Sequence, residues 1–568
     1  MRRKCSISLG CLIFSACGTV NGGVIYVDHD AIGANDGTTW SNAYSSLQDG
    51  LDAASFGDEI WVTNSVYRPI RQADRTNPTL TTSDPRDATF WIPRGVQLFG
   101  GFAGTESSIE QRPTAFSHTV LSGDIGFQED HSDNSYRVVF YRATHGGDYG
   151  ESDTDQSIPA RLDGFEISNA NADVESGAGV FALPSQIGNA VYNTRLDIAN
   201  CVIANNSSEE NGGGLYLGRW AGDMINCEIR ENYSGNNGGG MFLLQIGGSR
   251  SIINTVFIEN IADKSGGGLC KTGDGPRPIF AGAYPLYVLN CVFTKNIAST
   301  RGGGLAYRSN ISGSITFPLA VANCEFTANT AGTNGGGLYL WEGFHINPGL
   351  IPGSIGDVHS STFADNVAYG FGGGVYAGVG PNTTTTADLT VSNSILWGNT
   401  AAADTQANSI VGIIASCIED GGWPLPGNIT TDPLFYDPGN GDYSLTNGSP
   451  AIDSGWNLLL PMDVVDLDTD LDTTETLPVD LRFRPRLIDA GVADTGFGTN
   501  TITDMGAYEL CSGDFNRDGE LNFLDITKFI SAFSAIDSDA DINGDGSINF
   551  LDISAFLASY QNGCCSNC

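Results

Sequence analysis

The chain has 568 residues, of which 27 are Lys or Arg and 65 are Asp or Glu, for a formal charge of −38. So acidic a surface excludes nucleic acid and an anionic membrane as partners, because both would be repelled. The length admits more than one domain, and the charge suits an exported protein that handles calcium.

The N-terminus, Met1-Arg2-Arg3-Lys4 followed by an apolar run over 7–16, has the pattern of a secretory signal peptide, placed here at 1–22. That run is too short to cross a bilayer, and no later stretch is long enough either. Phe14-Ser15-Ala16-Cys17 resembles a lipobox, with Phe where Leu is usual; it would make Cys17 a lipidated mature N-terminus. Cleavage between Gly18 and Gly23 is the reading favoured here. Residues 24–28 (VIYVD) read as a strand, Ala43, Leu47, Leu51 and Ala54 fall at helical spacing over 41–54, and 59–62 (EIWV) is a second strand. Further strands are expected within 91–106, 119–126, 136–143 and 161–168, with Gly177-Ala178-Gly179 as a first bend. The segment 24–175 is thus a cap followed by irregular coils.

Over 200–399 one short unit recurs. Its first half reads NCVIANN from Asn200, NCEIREN from Asn226, NTVFIEN from Asn254, NCVFTKN from Asn290 and NCEFTAN from Asn323, with looser copies from Ser360 and Asn393. Its second half is a glycine triplet with an apolar tail, starting at Gly212, Gly238, Gly266, Gly302, Gly335 and Gly372, each 12 positions after the start of its unit. The distance from a triplet to the next unit drifts, from 14 (Gly212 to Asn226) to 25 (Gly335 to Ser360). A fixed turn alternating with a loop of free length marks a solenoid.

Within the unit a small residue (Cys201, Cys227, Thr255, Cys291, Cys324, Ser361, Ser394) and, two positions on, a large apolar one (Ile203, Ile229, Phe257, Phe293, Phe326, Phe363, Leu396) point the same way. That is strand periodicity. The closing Asn206, Asn232, Asn260, Asn296, Asn329, Asn366 and Asn399 can stack at the strand spacing of about 4.8 Å and bond from coil to coil. The predicted fold is all-β: a right-handed parallel β-helix with an N-terminal helix cap, regular repeats over 176–430, and coils continuing to Leu510. Phe293 and Asn296 followed by GGGL at 302–305 resemble the chlamydial polymorphic outer membrane protein repeat, which implies a fold rather than an activity. The strand–helix–strand start resembles the N-terminal cap of pectate-lyase-like β-helices.

Of 13 cysteines, Cys5, Cys11 and Cys17 lie in the leader. Cys201, Cys227, Cys291 and Cys324 either pair between neighbouring coils, Cys201 with Cys227 and Cys291 with Cys324, or form a column of buried thiols. Thr255 and Ser361 in the same slot favour the column. Cys511, Cys564, Cys565 and Cys568 bracket the last segment and are disulfide candidates in an oxidising compartment.

DPLF at Asp432, GDYSL at Gly441, SPAIDSG at Ser449 and DMGAYE at Asp504 resemble the choice-of-anchor type Q C-terminal module, spanning 431–510. The resemblance implies association with a cell surface. Inside it Asp466, Asp468, Asp470 and Asp472 alternate ahead of Glu475, as a calcium loop or as a solvated acidic loop. Leu471, where a calcium loop has Gly, favours the second.

Residues 511–568 contain two copies of one loop, DFNRDGELNFLD at 514–525 and DINGDGSINFLD at 541–552. Oxygen-bearing side chains at that spacing, with a glycine for the sharp turn, wrap a calcium ion. The expected ligands are Asp514, Asn516, Asp518, Asn522 and Asp525 with the carbonyl of Glu520, and Asp541, Asn543, Asp545, Asn549 and Asp552 with the carbonyl of Ser547. Each loop leads into an apolar stripe, Ile526/Phe529/Ile530/Phe533 and Ile553/Phe556/Leu557/Tyr560. Such a tandem resembles a type I dockerin, which implies calcium as cofactor and a cohesin-like receptor as partner. In place of the family's small hydroxyl residues, loop positions 10 and 11 hold Phe523-Leu524 and Phe550-Leu551. That departure leaves calcium binding intact and puts a cellulosomal cohesin in doubt.

Parallel β-helices host pectate lyases and polygalacturonases, but a fold does not license an activity. The sequence offers Glu231 and Glu259, one coil apart near the roughly 5 Å of retaining glycosidases, with Lys295 on the next coil. The competing reading is a solvated charged rung beside the Asn column. Trp220, Trp341 and His345 are either sugar-stacking platforms or packing for their own loops. No Ser/His/Asp, Walker-type or dinucleotide motif is present, and the six histidines lack metal-ligand spacing. The chain therefore reads as an exported surface or extracellular protein that binds polysaccharide or a surface protein through its variable loops. The alternative is a polysaccharide lyase or glycoside hydrolase.

Overall fold

The structure is a computed structural model that describes residues 22–563 apart from 72–83, 114–118, 128–129, 143–157, 188–189, 245, 274–281, 284, 310, 313–314, 317, 343–355, 379–388, 409–410, 422, 491, 500 and 518–519. The leader with Cys17, and His345, Asp518, Cys564, Cys565 and Cys568, lie outside the described residues. Among the described residues no helix is long and apolar enough to cross a membrane.

Four parallel sheets of 12, 11, 8 and 9 strands wind into a parallel β-helix. One coil shows the plan. Leu196–Ala199 belongs to sheet I, Val202–Ala204 to sheet II, Ser207–Ser208 to sheet III and Leu215–Leu217 to sheet IV. Each corner has its own local cause. The leading residue of the unit takes the left-handed conformation between sheets I and II, with φ 51° at Asn200, 55° at Asn226 and 52° at Asn290. Asn tolerates that region better than most residues. The first glycine of each triplet does the same between sheets III and IV, and the second is needed for space: a Cβ on Gly303 would lie 2.5 Å from the Gly336 carbonyl oxygen of the next coil.

The interior is built from columns. Phe257, Phe293, Phe326 and Phe363 stack with centroids 4.6, 4.7 and 4.6 Å apart and planes within 2°. In the Asn column, Asn296 Nδ2 donates to Asn329 Oδ1 at 3.0 Å and to the Phe257 carbonyl at 2.8 Å, and the same pattern runs from Asn206 to Asn399. The buried amides of this column are thereby satisfied. Cys201, Cys227, Cys291 and Cys324 are buried free thiols. Their slot explains its own substitutions: Cys201 Sγ, Thr255 Oγ1 and Ser361 Oγ each donate to the carbonyl two residues earlier, at 3.1, 2.9 and 2.8 Å. At the open N-terminal end, α1 (Leu47–Ala53) is capped by the Ser46 side chain and places Leu47 and Leu51 on the core beside Val27 and Ile60. The helix is shorter than the 41–54 expected; a separate 3-10 turn occupies Trp40–Asn42.

One expectation is overturned. The coils do not run to Leu510; the last rungs of sheets I and II are Val411–Ile414 and Cys417–Ile418. After a hairpin of Phe435–Asp437 and Asp442–Leu445, the chain folds back along the outside of the solenoid. There Leu467, Leu477 and Val479 cover Ile225, Ile253, Leu289 and Ala322, the outward-facing ends of four sheet I strands. Asn290 Nδ2 bonds the Asp480 carbonyl at 3.1 Å, Asn323 bonds that of Val479, and Asn393 is bonded by the Trp456 N–H at 2.8 Å. The physical reason is legible afterwards. The segment 431–510 has neither the Asn rung nor the glycine triplet, so nothing repeats to stack, while the solenoid presents an apolar row that needs a cover.

The terminal domain consists of α2 (Phe523–Ala535) and α3 (Phe550–Asn562), each opened by a capping box, Asn522 with Asp525 and Asn549 with Asp552. The equivalent residues Phe529 and Phe556 stack at 4.2 Å, so the sequence duplication becomes an internal pseudo-symmetric core. Cys511 is disulfide-bonded.

Candidate functional site

Glu231, Glu259 and Lys295 stand at the corner between sheets II and III, each with φ 55°. Glu231 pairs with Arg230 at 2.6 Å and Lys295 with Glu259 at 3.4 Å, and all three side chains are about half exposed. They form an ion-paired rung on a convex corner. Trp220 is fully buried and donates Nε1–H to the Leu196 carbonyl at 2.9 Å, so it belongs to the core and not to a sugar platform. Trp341 lies within the sheet IV strand Leu338–Glu342 and packs on Tyr339 at 5.2 Å.

A stronger constellation lies on the outer face of sheet I. Strand alternation sends Leu196 and Ile198 inward and Asp197 outward. One coil on, Asp223 faces the same way, and its N–H donates to Asp197 Oδ1 at 3.1 Å. Ser251 N–H donates in turn to Asp223 Oδ1 at 2.9 Å. Arg161 sits opposite Asp197 on the preceding coil. It is held by Asp163 at 2.6 Å, and Asp163 also binds Arg112 at 2.8 Å and Asn200 at 2.9 Å.

The electrostatics divide these acids. Burial works against ionisation of Asp163, but Arg161 and Arg112 hold its carboxyl below the usual range. Asp197 is pushed up to about 6, chiefly by burial, with the neighbouring charge of Asp223 adding to it against weaker help from Arg161 and Arg195. Burial also raises Asp223, and Arg250 offsets part of this. Among the described residues neither Arg195 nor Arg250 is engaged in an ion pair, and Arg250 Nε is buried with no hydrogen-bond partner. Two carboxyls one strand spacing apart, one titrating near neutrality, with unpaired guanidinium groups beside them, can exchange protons and hold an anion. Sequence reading missed this set. The available signal was an acid three positions before the leading residue of the unit, which recurs as Asp197, Asp223 and Asp357.

The structure also brings His359 Nδ1 to 2.7 Å from Ser392 Oγ, two residues after Asp357. Ser392 is 1% exposed, and the Leu459 backbone of the fold-back segment bonds His359, so this contact seals a seam.

The two calcium loops differ. In the second, Asp541 Oδ1 and Oδ2 accept from Asp545 and Gly546 N–H at 3.1 and 2.8 Å, and Asp552 accepts from Ile542 and Asn549 N–H at 2.9 and 2.7 Å. Asn543 Oδ1 and Asp545 Oδ1 accept from loop N–H groups at 3.0 and 2.8 Å, and Asn549 caps α3. The loop is already wound around its carboxylates, with positive φ at Gly544 and Gly546, and these residues fit a calcium ion. In the first, Asp525 faces inward likewise, accepting from Asn516 and Asn522 N–H at 3.0 and 2.8 Å, whereas Asp514 forms a buried ion pair with Arg484 of the fold-back segment. Arg517 of the same loop bonds Ser444 Oγ and the Leu445 carbonyl at 3.0 and 2.9 Å. The first loop is thus partly committed to docking its domain.

No family model matches the chain, and no curated protein matches it; the repeat, anchor-module and dockerin resemblances rest on their motifs. Among solved structures, the fold is similar to that of pectate lyase Pel9A, at 9% identity and a TM-score of 0.41, over 87% of this chain and 98% of that one. It is similar to a rhamnogalacturonan lyase at 12% identity and a TM-score of 0.32, over 70% and 87%. A third is tailspike protein gp49 from Acinetobacter baumannii bacteriophage Fri1, a capsular polysaccharide depolymerase, at 10% identity and a TM-score of 0.34, over 70% and 59%. At these identities and scores the likeness bears on neither activity nor ligand.

Proposed function

We propose that this chain is an extracellular β-helix protein that binds an acidic polysaccharide on the outer face of sheet I and cleaves it with the Asp197–Asp223 pair. The observation that carries the reading is the juxtaposition, on adjacent coils, of two half-buried carboxyls with two arginines that no ion pair occupies. Arg195 and Arg250 supply the positive charge that a sugar carboxylate requires. Asp197, titrating near 6, holds a proton or gives it up at ordinary pH. One acid and one base a coil apart serve either elimination or hydrolysis of a glycosidic bond, and the products tell these apart. The 511–568 domain is a calcium-bound docking module in this reading. Its duplicated Phe523-Leu524 and Phe550-Leu551 pairs, 74, 60, 74 and 58% exposed, are the surface it offers a receptor.

The test is incubation of the secreted protein with uronate-containing polysaccharides, following unsaturated products and new reducing ends. Turnover is expected, with Asp197→Asn and Asp223→Asn each reducing it by about 100-fold or more and Arg250→Ala weakening binding. Binding without turnover would make the protein a glycan-presenting surface protein, the first reading of the sequence. Absence of both would sink the proposal.

A further inference from the structure

Six acids fall between Asp463 and Glu475 of the fold-back segment, and the sequence has no Lys, Arg or His from Ser360 to Leu481. The base of this loop is fixed. Met462 and Thr476 form an antiparallel bridge, Asp463 N–H donates to the Glu475 carbonyl at 2.9 Å, and Leu477 N–H donates to that of Pro461 at 2.8 Å. Leu467 from the loop and Leu477 and Val479 from beyond its base pack on Ile225, Ile253 and Leu289 of the solenoid.

The loop gathers its acids onto one another. One carboxylate oxygen each from Asp463, Asp468 and Glu475 lie within 4.8 Å of one another, and so do those of Asp466, Asp468 and Asp470. Asp463 is 1% exposed, and its Oδ1 and Oδ2 accept only from Val465 and Leu467 N–H, at 3.3 and 2.7 Å. Glu475 Oε1 is buried and has no hydrogen-bond partner. The charged groups acting most strongly on Asp463, Asp468 and Glu475 are all acids.

A solvated acidic loop would turn its oxygens to water. Here one is enclosed beside two other carboxylates, where no donor meets it and like charges repel. A cation supplies what all three lack. We infer that Asp463, Asp468 and Glu475 hold a calcium ion, with Asp466 and Asp470 in reach to complete its oxygen shell. Hard oxygen donors with no imidazole or thiolate among them select calcium over zinc. The ion ties the middle of the loop to its base and so fixes Leu467 in the cover over sheet I. Leu471 does not obstruct the turn: in the place of the usual glycine it takes φ 74° itself, with its side chain 83% exposed. In keeping with the assignment, burial first and neighbouring acids after it raise all three carboxyls.

This site is separate from the two C-terminal loops, so the test removes those first. In the full chain carrying Asp525→Ala and Asp552→Ala, equilibrium dialysis should find one bound calcium per molecule, and the solenoid should melt at a higher temperature in calcium than in EDTA. Adding Asp468→Asn with Glu475→Gln should abolish both effects, whereas Asp472→Asn, an exposed acid of the same loop outside both groups, should leave them unchanged. Should the double substitution prevent folding, Asp468→Asn alone, at an exposed position, carries the same expectation. A background chain that binds no calcium overturns the inference. So does bound calcium that survives the Asp468 and Glu475 substitutions, or that Asp472→Asn removes equally.

Discussion

At the scale of single residues, the solenoid rests on side chains that repeat in register, and each carries a measurable load. Phe293 lies between Phe257 and Phe326 with no exposed surface. Phe293→Ala should cost about 3–5 kcal/mol in denaturant unfolding, as a transfer loss plus a cavity the stacked neighbours cannot fill. Glu325 gives a prediction with a sign. It is buried where the fold-back segment meets sheet II; Tyr508 donates to its Oε2 at 2.6 Å, yet burial raises its carboxyl to about 7. The folded state therefore holds this proton more tightly than the unfolded chain. The stability it contributes is complete below the ordinary carboxyl value near 4.5 and is lost as pH rises through 7. Glu325→Gln should flatten the fall in melting temperature between pH 5 and pH 8 and leave the variant the more stable protein at pH 8. A wild-type protein whose melting temperature is level over that range would contradict it.

At the scale of elements, duplication in sequence does not secure equivalence in structure. The two calcium loops share a spacing, but Asp514 is drawn into an ion pair with Arg484 while Asp541 closes only on its own loop. Calcium at the first loop must displace or share a guanidinium, whereas the second meets no such competitor. In calorimetric titration of the full chain, Asp552→Ala should remove the tighter calcium event and Asp525→Ala a weaker one. Equal affinities would show that the Arg484 pair does not compete. Because binding to the folded state stabilises by RT ln(1 + [Ca²⁺]/Kd), the second loop should also dominate the calcium-dependent rise in the domain's melting temperature.

At the scale of the whole molecule, the fold-back segment makes the solenoid a finished surface. Leu467, Leu477 and Val479 cover Ile225, Ile253, Leu289 and Ala322, and a second cluster joins Leu445, Ile452, Met505 and Leu510 to Ile395 and Cys417 at the last coil. A chain ending at residue 430 would expose both the apolar row and the rungs of the final coil, which invite edge-to-edge pairing. It should bind a hydrophobic dye and self-associate in light scattering, where the full chain does neither. A soluble, monomeric truncation would mean that the cover is dispensable.

What the sequence determined by itself was everything that repeats. The strand phase, the Phe stack, the Asn column and the slot shared by Cys, Thr and Ser all follow from a local unit whose neighbours in space are its own copies at a fixed offset. The cap helix and the two terminal helices were legible for a similar reason, since their capping residues and apolar stripes are local. The tertiary structure alone decided what lies opposite a residue far away in the chain. That Trp220 turns inward, that Asp514 meets Arg484, that Asp453 is buried without a partner and that 431–510 runs back along the outside all depend on contacts between non-repeating segments. The acids of the candidate site fall between these cases. The position of Asp197 and Asp223 within the unit was there to be read, but their burial, and the gathering of Arg161, Arg195 and Arg250 beside them, depend on packing between coils that the repeat pattern does not specify.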